Sequence, residues 1–144
     1  MPKGKKKREN YFERRGLHFD ELIWHALLGL WMLGIFIASG IEGSGEHYYD
    51  LVMLIERKGA HVFEFLVLAY LFWTVSFFYS LKFRQQVWLT FLFSFLYASW
   101  DEVHQLFVFG REGKILDVGI DLAGVILFIV LLQFVRLHRN KKPA

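Results

Sequence analysis

The sequence predicts an all-α integral membrane protein with four transmembrane helices in a bundle, and three observations carry that expectation. The chain has 144 residues, 55% of them hydrophobic and 19% aromatic, with a mean hydropathy of +0.32. That apolar excess, in a chain of one-domain length, belongs to the membrane class. Four stretches also approach the ~20 residues with which a helix crosses ~30 Å of hydrocarbon at ~1.5 Å per residue. Finally, basic residues collect in the segments that would flank those stretches on one side.

Residues 1–21 read as a basic N-terminal segment, 22–136 as the membrane domain and 137–144 as a basic tail. The spans run over about 22–41, 60–81, 87–107 and 117–135. There is no cysteine, which excludes disulfides and thiolate metal sites.

Met1 to Gly16 holds seven basic side chains against Glu9 and Glu13. A nucleic-acid arm, an anionic-lipid contact and a topology signal all use such a segment. Beside a span the topology signal is preferred, because basic flanks stay in the cytoplasm.

Leu22 to Ile41 is twenty residues with His25 as its one ionisable group. A cleaved leader is disfavoured, since its apolar region would be only ~7–15 residues long. His25, four residues after Glu21, reads as a paired or snorkelling boundary histidine. Glu42 to Lys58 is a loop opening on Gly43-Ser44-Gly45. Within it Tyr48, Leu51, Leu54 and Ile55 recur at helical spacing, so a short helix in the outer interface and a plain anchored loop both stay open.

Ala60 to Leu81 is the second span, with His61 and Glu64 in its first turns. Arg57, His61 and Glu64 share a face at i, i+4 and i+7, and Lys58 precedes His61 by three. Lys82 to Gln86 is a tight basic turn. The apolar run of the third span stops at Trp100 after fourteen residues. A crossing of ~20 residues must continue to Phe107, which carries Asp101, Glu102, His104 and Gln105 into the outer half of the membrane. Asp101, His104 and Gln105 form one polar face, with Glu102 at its margin. Phe109 to Lys114 is a polar connector with two glycines, a turn by composition. The fourth span then places Asp121 about one turn inside, on the face of Asp117 and Gly124.

Charge counting orients the chain. With both termini and the 82–86 turn cytoplasmic, the inner segments hold thirteen basic residues and the outer loops four. The basic pI of about 9.2 therefore describes a topology, and nucleic acid is not an expected partner. Gly34 with Ala38, Ser94 with Ala98 and Gly119 with Ala123 are small-xxx-small pairs that let helices approach. Trp24 and Trp88 fit an aromatic belt at the inner boundary.

Lys58, His61, Glu64, Asp101, Glu102, His104, Gln105, Arg111, Asp117 and Asp121 thus arrive at one depth, where a bundle would make them line a polar pocket open to the outer face. Charges at that depth face a protein interior or a cavity, because exposure to lipid costs roughly 2.5–3.5 kcal/mol each. Three chemistries fit. His61, Glu64, Asp101 and His104 could hold a divalent metal, although no second histidine stands at zinc-ligand spacing on either helix. The same four could act as general acid and base on a lipid headgroup or phosphate, with Lys58 and Arg111 as anion clamps. In a purely structural role, Lys58 and Arg111 would neutralise Asp101, Asp117 and Glu64 to fix the bundle.

Several of these residues carry a family resemblance. Lys58-x-x-His61-x-x-Glu64, the run Asp101-Glu102-Val103-His104-Gln105-Leu106-Phe107, then Gly110-Arg111, Asp117-Val118 and Asp121-x-x-Gly124 resemble the VanZ-like family of small bacterial membrane proteins, named after a teicoplanin-resistance determinant. The resemblance covers about residues 39–128. The chain departs from it at Phe109, where many members have Pro, and at Asp121, where many have Asn. It implies a helical protein of the bacterial plasma membrane and lowered susceptibility to a lipoglycopeptide that acts on cell-wall precursors outside it. It supplies no mechanism.

Two functions follow as expectations. One is an envelope protein whose outer pocket binds a lipid or a lipid-linked cell-wall headgroup. The other is a membrane-embedded hydrolase or transferase acting on a phospholipid or polyprenyl headgroup. A proton-coupled transporter ranks behind both, since four spans are few for one unless the chain forms a homo-oligomer. Beyond the bilayer and that headgroup no partner is indicated, and a divalent metal is the one cofactor under consideration.

Overall fold

The computed structural model describes residues 3–41, 51–109, 111 and 113–140, with side chains for 19–41, 58–109, 111 and 113–139. It is all-helical: α1 (Lys3–Ser39), α2 (Leu51–Ser76), α3 (Phe83–Gln105) and α4 (Ile115–Asn140), with a 3-10 turn over Phe77–Tyr79 between α2 and α3. Proline occurs only at positions 2 and 143, so nothing inside the helices removes a backbone donor. The breaks fall where glycine or serine permits them. Gly40 follows α1, and Ser80, in the left-handed region at φ 51°, ends the 3-10 turn. The Gln85 side chain accepts the Lys82 N–H at 2.9 Å, which starts α3.

Helix bounds differ from the expected spans in instructive ways. α1 runs back through the basic segment to Lys3. Leu51 to Lys58 is helical but is the opening of α2, so no separate interfacial helix stands there. Tyr48 and the rest of 42–50 lie outside the described residues, as do Gly110 and Glu112. The stretches Phe19–Ser39, Lys58–Tyr79 and Ile115–Arg139 are long and apolar enough to cross a membrane. α3 has the length at 23 residues but not the mean hydropathy. Its buried side is Gln86, Thr90, Ser94, Ala98, Asp101, Glu102 and Gln105. Its outer side is apolar, with Trp88, Leu92, Leu96, Trp100 and Val103 exposed.

α2 is central and packs on the three other helices. It supplies Phe65, Leu68, Ala69, Leu71 and Val75 to the core, which Leu28, Ile35, Ala98, Val125 and Phe128 complete. Gly124 sets the distance between α4 and α2, since a Cβ there would collide with the Val62 carbonyl oxygen. Of the three small-residue pairs only Ser94 and Ala98 are buried; Gly34 and Gly119 face open space.

Candidate functional site

The polar residues of α2, α3 and α4 meet at one end of the helices, where α1 and α3 finish and α4 begins. Asp101 is fully buried. Its Oδ2 accepts from the Ser39 hydroxyl at 2.7 Å and from Gln105 Nε2 at 3.0 Å, one helical turn on. The Ile35 carbonyl oxygen, at 2.9 Å, is the alternative acceptor for Ser39. Asp121, 1% exposed, comes from the first turns of α4 to face α2, with Oδ1 3.4 Å from His61 Nδ1. Glu64 Oε2 lies 3.7 Å from the same nitrogen. The i, i+3 spacing of His61 and Glu64 on α2 makes that encounter local, while Asp121 reaches His61 because Gly124 lets α4 approach.

The connector closes over this cluster. Glu102 Oε2 accepts the Lys114 backbone N–H at 2.7 Å, so this carboxylate holds the entry to α4 and is buried instead of marginal. Gly113 has no room for a side chain, as a Cβ would lie 2.6 Å from the Glu102 carbonyl oxygen. Arg111 donates Nε to the Ile41 carbonyl at 3.1 Å and Nη2 to that of Ala38 at 3.3 Å. A guanidinium on the last carbonyls of α1 satisfies groups that a helix leaves open and meets the negative end of its dipole. Lys58 Nζ stands 3.8 Å from Asp117 Oδ1 at the more exposed rim.

The ten predicted residues do not all converge. Asp101 acts electrostatically on His61, Glu64, Glu102 and Asp121, and Arg111 acts on Glu64, so these form one cluster. His104 turns toward α1 instead, its ring stacked on Phe36 at a centroid distance of 4.0 Å and near Gly40. Among the described residues, no group of three or more histidines and carboxylates is arranged to hold a metal ion. Sequence reasoning missed Ser39 and the C-terminal carbonyls of α1. Ser39 is the one hydroxyl in the closing turn of the first span and lies at i+4 from buried Ile35, a signal that could have found it.

The cluster is short of hydrogen bonds. Asp101 Oδ1, both oxygens of Asp121 and His61 Nδ1 are buried without a hydrogen-bond partner, as is His104 Nε2 outside the cluster. Buried polar groups in native proteins are nearly always satisfied, so such a concentration marks a place for a polar ligand or ordered water. The centre offers mainly acceptors, which suits hydroxyl or ammonium donors, and the cations stand at the edge.

A sequence model of the VanZ/LLP1 family matches residues 24–136. The chain belongs to the VanZ/LLP1 family. The match extends from Trp24 in α1 to Arg136 in α4, so it takes in every helix that builds the cluster. With three helices apolar enough to span a bilayer among the described residues, this VanZ/LLP1 chain is a membrane protein. No curated protein and no solved structure matches it.

Proposed function

We propose that this VanZ/LLP1 protein is a four-span envelope protein of the bacterial plasma membrane, with both termini cytoplasmic. Its outward-facing cluster binds the polar headgroup of a lipid or a lipid-linked cell-wall precursor. The observation that carries the reading is the set of unpartnered carboxylate oxygens of Asp101 and Asp121 beside His61. Hydroxyls of a glycan headgroup would donate to them, and Lys58 at the rim would meet a phosphate. Occupying a cell-wall precursor in this way would lower susceptibility to lipoglycopeptides such as teicoplanin. Mass spectrometry of lipid copurifying with the full chain tests it. Asp101→Asn and Arg111→Ala are expected to lose a bound headgroup lipid and any resistance phenotype. Unchanged lipid and phenotype in both variants would overturn the reading.

The His61–Asp121 pair favours a second reading. A carboxylate beside an imidazole orients and supports it as a general base, so hydrolysis or transfer on a phospholipid or polyprenyl headgroup fits the same place. Purified protein that converts such a lipid, and loses turnover but not binding in His61→Ala, would select the enzyme; binding without turnover would select the first reading.

A further inference from the structure

The opposite end of the helices also holds an apolar groove. A cavity of about 560 Å³ opens between the later halves of α2 and α4, walled by Tyr70, Trp73, Phe128 and Leu132 and bounded by Arg136 and Arg139. Asp121 and Arg136 are separated along α4 by roughly 22 Å at ~1.5 Å per residue, so this cavity is remote from the carboxylate cluster. Its volume lies within the ~300–1,000 Å³ of small-ligand sites, and its walls are almost wholly aromatic and aliphatic.

The charges at its mouth are of one sign. Arg136 and Arg139 are three residues apart and so share a face of α4. The Arg136 guanidinium lies over the Phe83 ring, 3.8 Å from its centroid, which holds it beside the opening. Residues 65–100 and 122–144 contain no Asp or Glu. Among the described residues neither arginine forms an ion pair. Two guanidiniums at the rim of an apolar groove complement a phosphate esterified to acyl chains, because the planar fork binds phosphate oxygens bidentately while the chain fills the groove. With α2 and α4 apolar enough to cross a bilayer, an apolar groove between them favours a lipid over a soluble anion.

We infer that the groove between α2 and α4 holds an anionic phospholipid of the bilayer, its acyl chain against Trp73 and Phe128 and its headgroup between Arg136 and Arg139. This site is separate from the headgroup cluster at the other end and does not depend on it.

Native mass spectrometry of the full chain tests this, in nanodiscs of equal phosphatidylglycerol and phosphatidylethanolamine with matched acyl chains. The wild-type protein is expected to retain phosphatidylglycerol roughly thirtyfold over phosphatidylethanolamine, as two basic groups near a membrane surface would give. Arg136→Gln/Arg139→Gln, both exposed positions, is expected to bring the ratio close to one. Leu132→Trp, which fills the groove, is expected to reduce retention of both lipids. Lys5→Gln/Lys6→Gln removes the same charge from the N-terminal segment and should leave the ratio unchanged. Equal retention by the wild-type protein, or an equal loss in the two double variants, would overturn the site and reduce the effect to net charge. Asp101→Asn should keep the ratio, so failure of the outer-cluster reading and failure of this one read out separately.

Discussion

Asp101 and Asp121 are both buried carboxylates, yet their surroundings differ in a way that energies can rank. Asp101 accepts from Ser39 and Gln105, and hydrogen bonds to a charged group contribute about 1.5–3 kcal/mol each. Two of them offset a burial cost of roughly 2.5–3.5 kcal/mol. Asp121 has only His61 Nδ1 at 3.4 Å and no well-formed hydrogen bond, so its cost is offset less fully than that of Asp101. A group kept at a loss is characteristic of a binding site. Asp121→Asn should therefore raise the melting temperature of the detergent-solubilised protein while weakening lipid retention at the cluster. Asp101→Ala should do the opposite to stability, lowering it by about 1–3 kcal/mol by stranding two donors. If both substitutions destabilise equally, Asp121 is structural. Both aspartates were legible in the sequence from depth counting. Their unequal support was not, because it depends on Ser39, which is far away in the chain.

Among the elements, α1 is attached in an unusual way. Among its described side chains, Leu28 and Ile35 are buried in the apolar core, and Trp24, Trp31 and Met32 pack partly buried against it. Polar tethers add to that packing. Trp31 Nε1 donates to the Glu64 carbonyl at 3.0 Å, and the Tyr97 hydroxyl donates to the Met32 carbonyl at 2.6 Å. His25 Nε2 and the Tyr79 hydroxyl lie 2.8 Å apart, while His25 Nδ1 donates to the Glu21 carbonyl. Apolar burial drives no association between helices in lipid, so tethers of this kind and packing must hold α1 in place. Tyr97→Phe keeps the ring and removes the donor, and Trp31→Phe keeps an aromatic ring, smaller than the indole, and removes the donor. Each should cost about 0.6 kcal/mol, and at most about 1.7, measured as a shift in thermal unfolding in detergent. The two should add, since they join α1 to different helices. No cost in the double variant would mean that packing alone holds α1. Bonds from side chains to distant backbone carbonyls leave no periodicity in a sequence, which is why helix α1 was legible and its attachment was not. Gly124 differs again: the face it shares with Asp117 and Asp121 was readable, but only the structure shows the Val62 carbonyl it must clear. Gly124→Ala should force α2 and α4 apart and destabilise by about 1–3 kcal/mol.

Among the described residues, polar groups are buried beside an apolar core while the outer surface is largely apolar. Ser39, Thr90, Ser94, Asp101 and Asp121 are among the most deeply buried residues, whereas Leu30, Ile37, Leu96, Leu127 and Phe134 are exposed. That arrangement would aggregate in water and is at ease in lipid. It also explains why α3 has no stretch as apolar as the spans of the other three helices: averaging along it mixes an interior polar face with an apolar surface. Its 23 residues extend roughly 34 Å at ~1.5 Å per residue, enough to cross ~30 Å of hydrocarbon. If α3 crosses, Lys82 and Glu112 lie on opposite sides; if it does not, they lie on one side. The absence of cysteine makes this directly measurable, because one introduced thiol is then the only one to label. In intact cells a membrane-impermeant maleimide should label Glu112→Cys and spare Lys5→Cys, Lys82→Cys and Lys142→Cys, which should react after permeabilisation. Matching labelling of Glu112→Cys and Lys82→Cys would remove α3 from the membrane, and labelling of Lys5→Cys in intact cells would invert the topology. Either result would take the carboxylate cluster away from the outer face and with it the access to a cell-wall precursor.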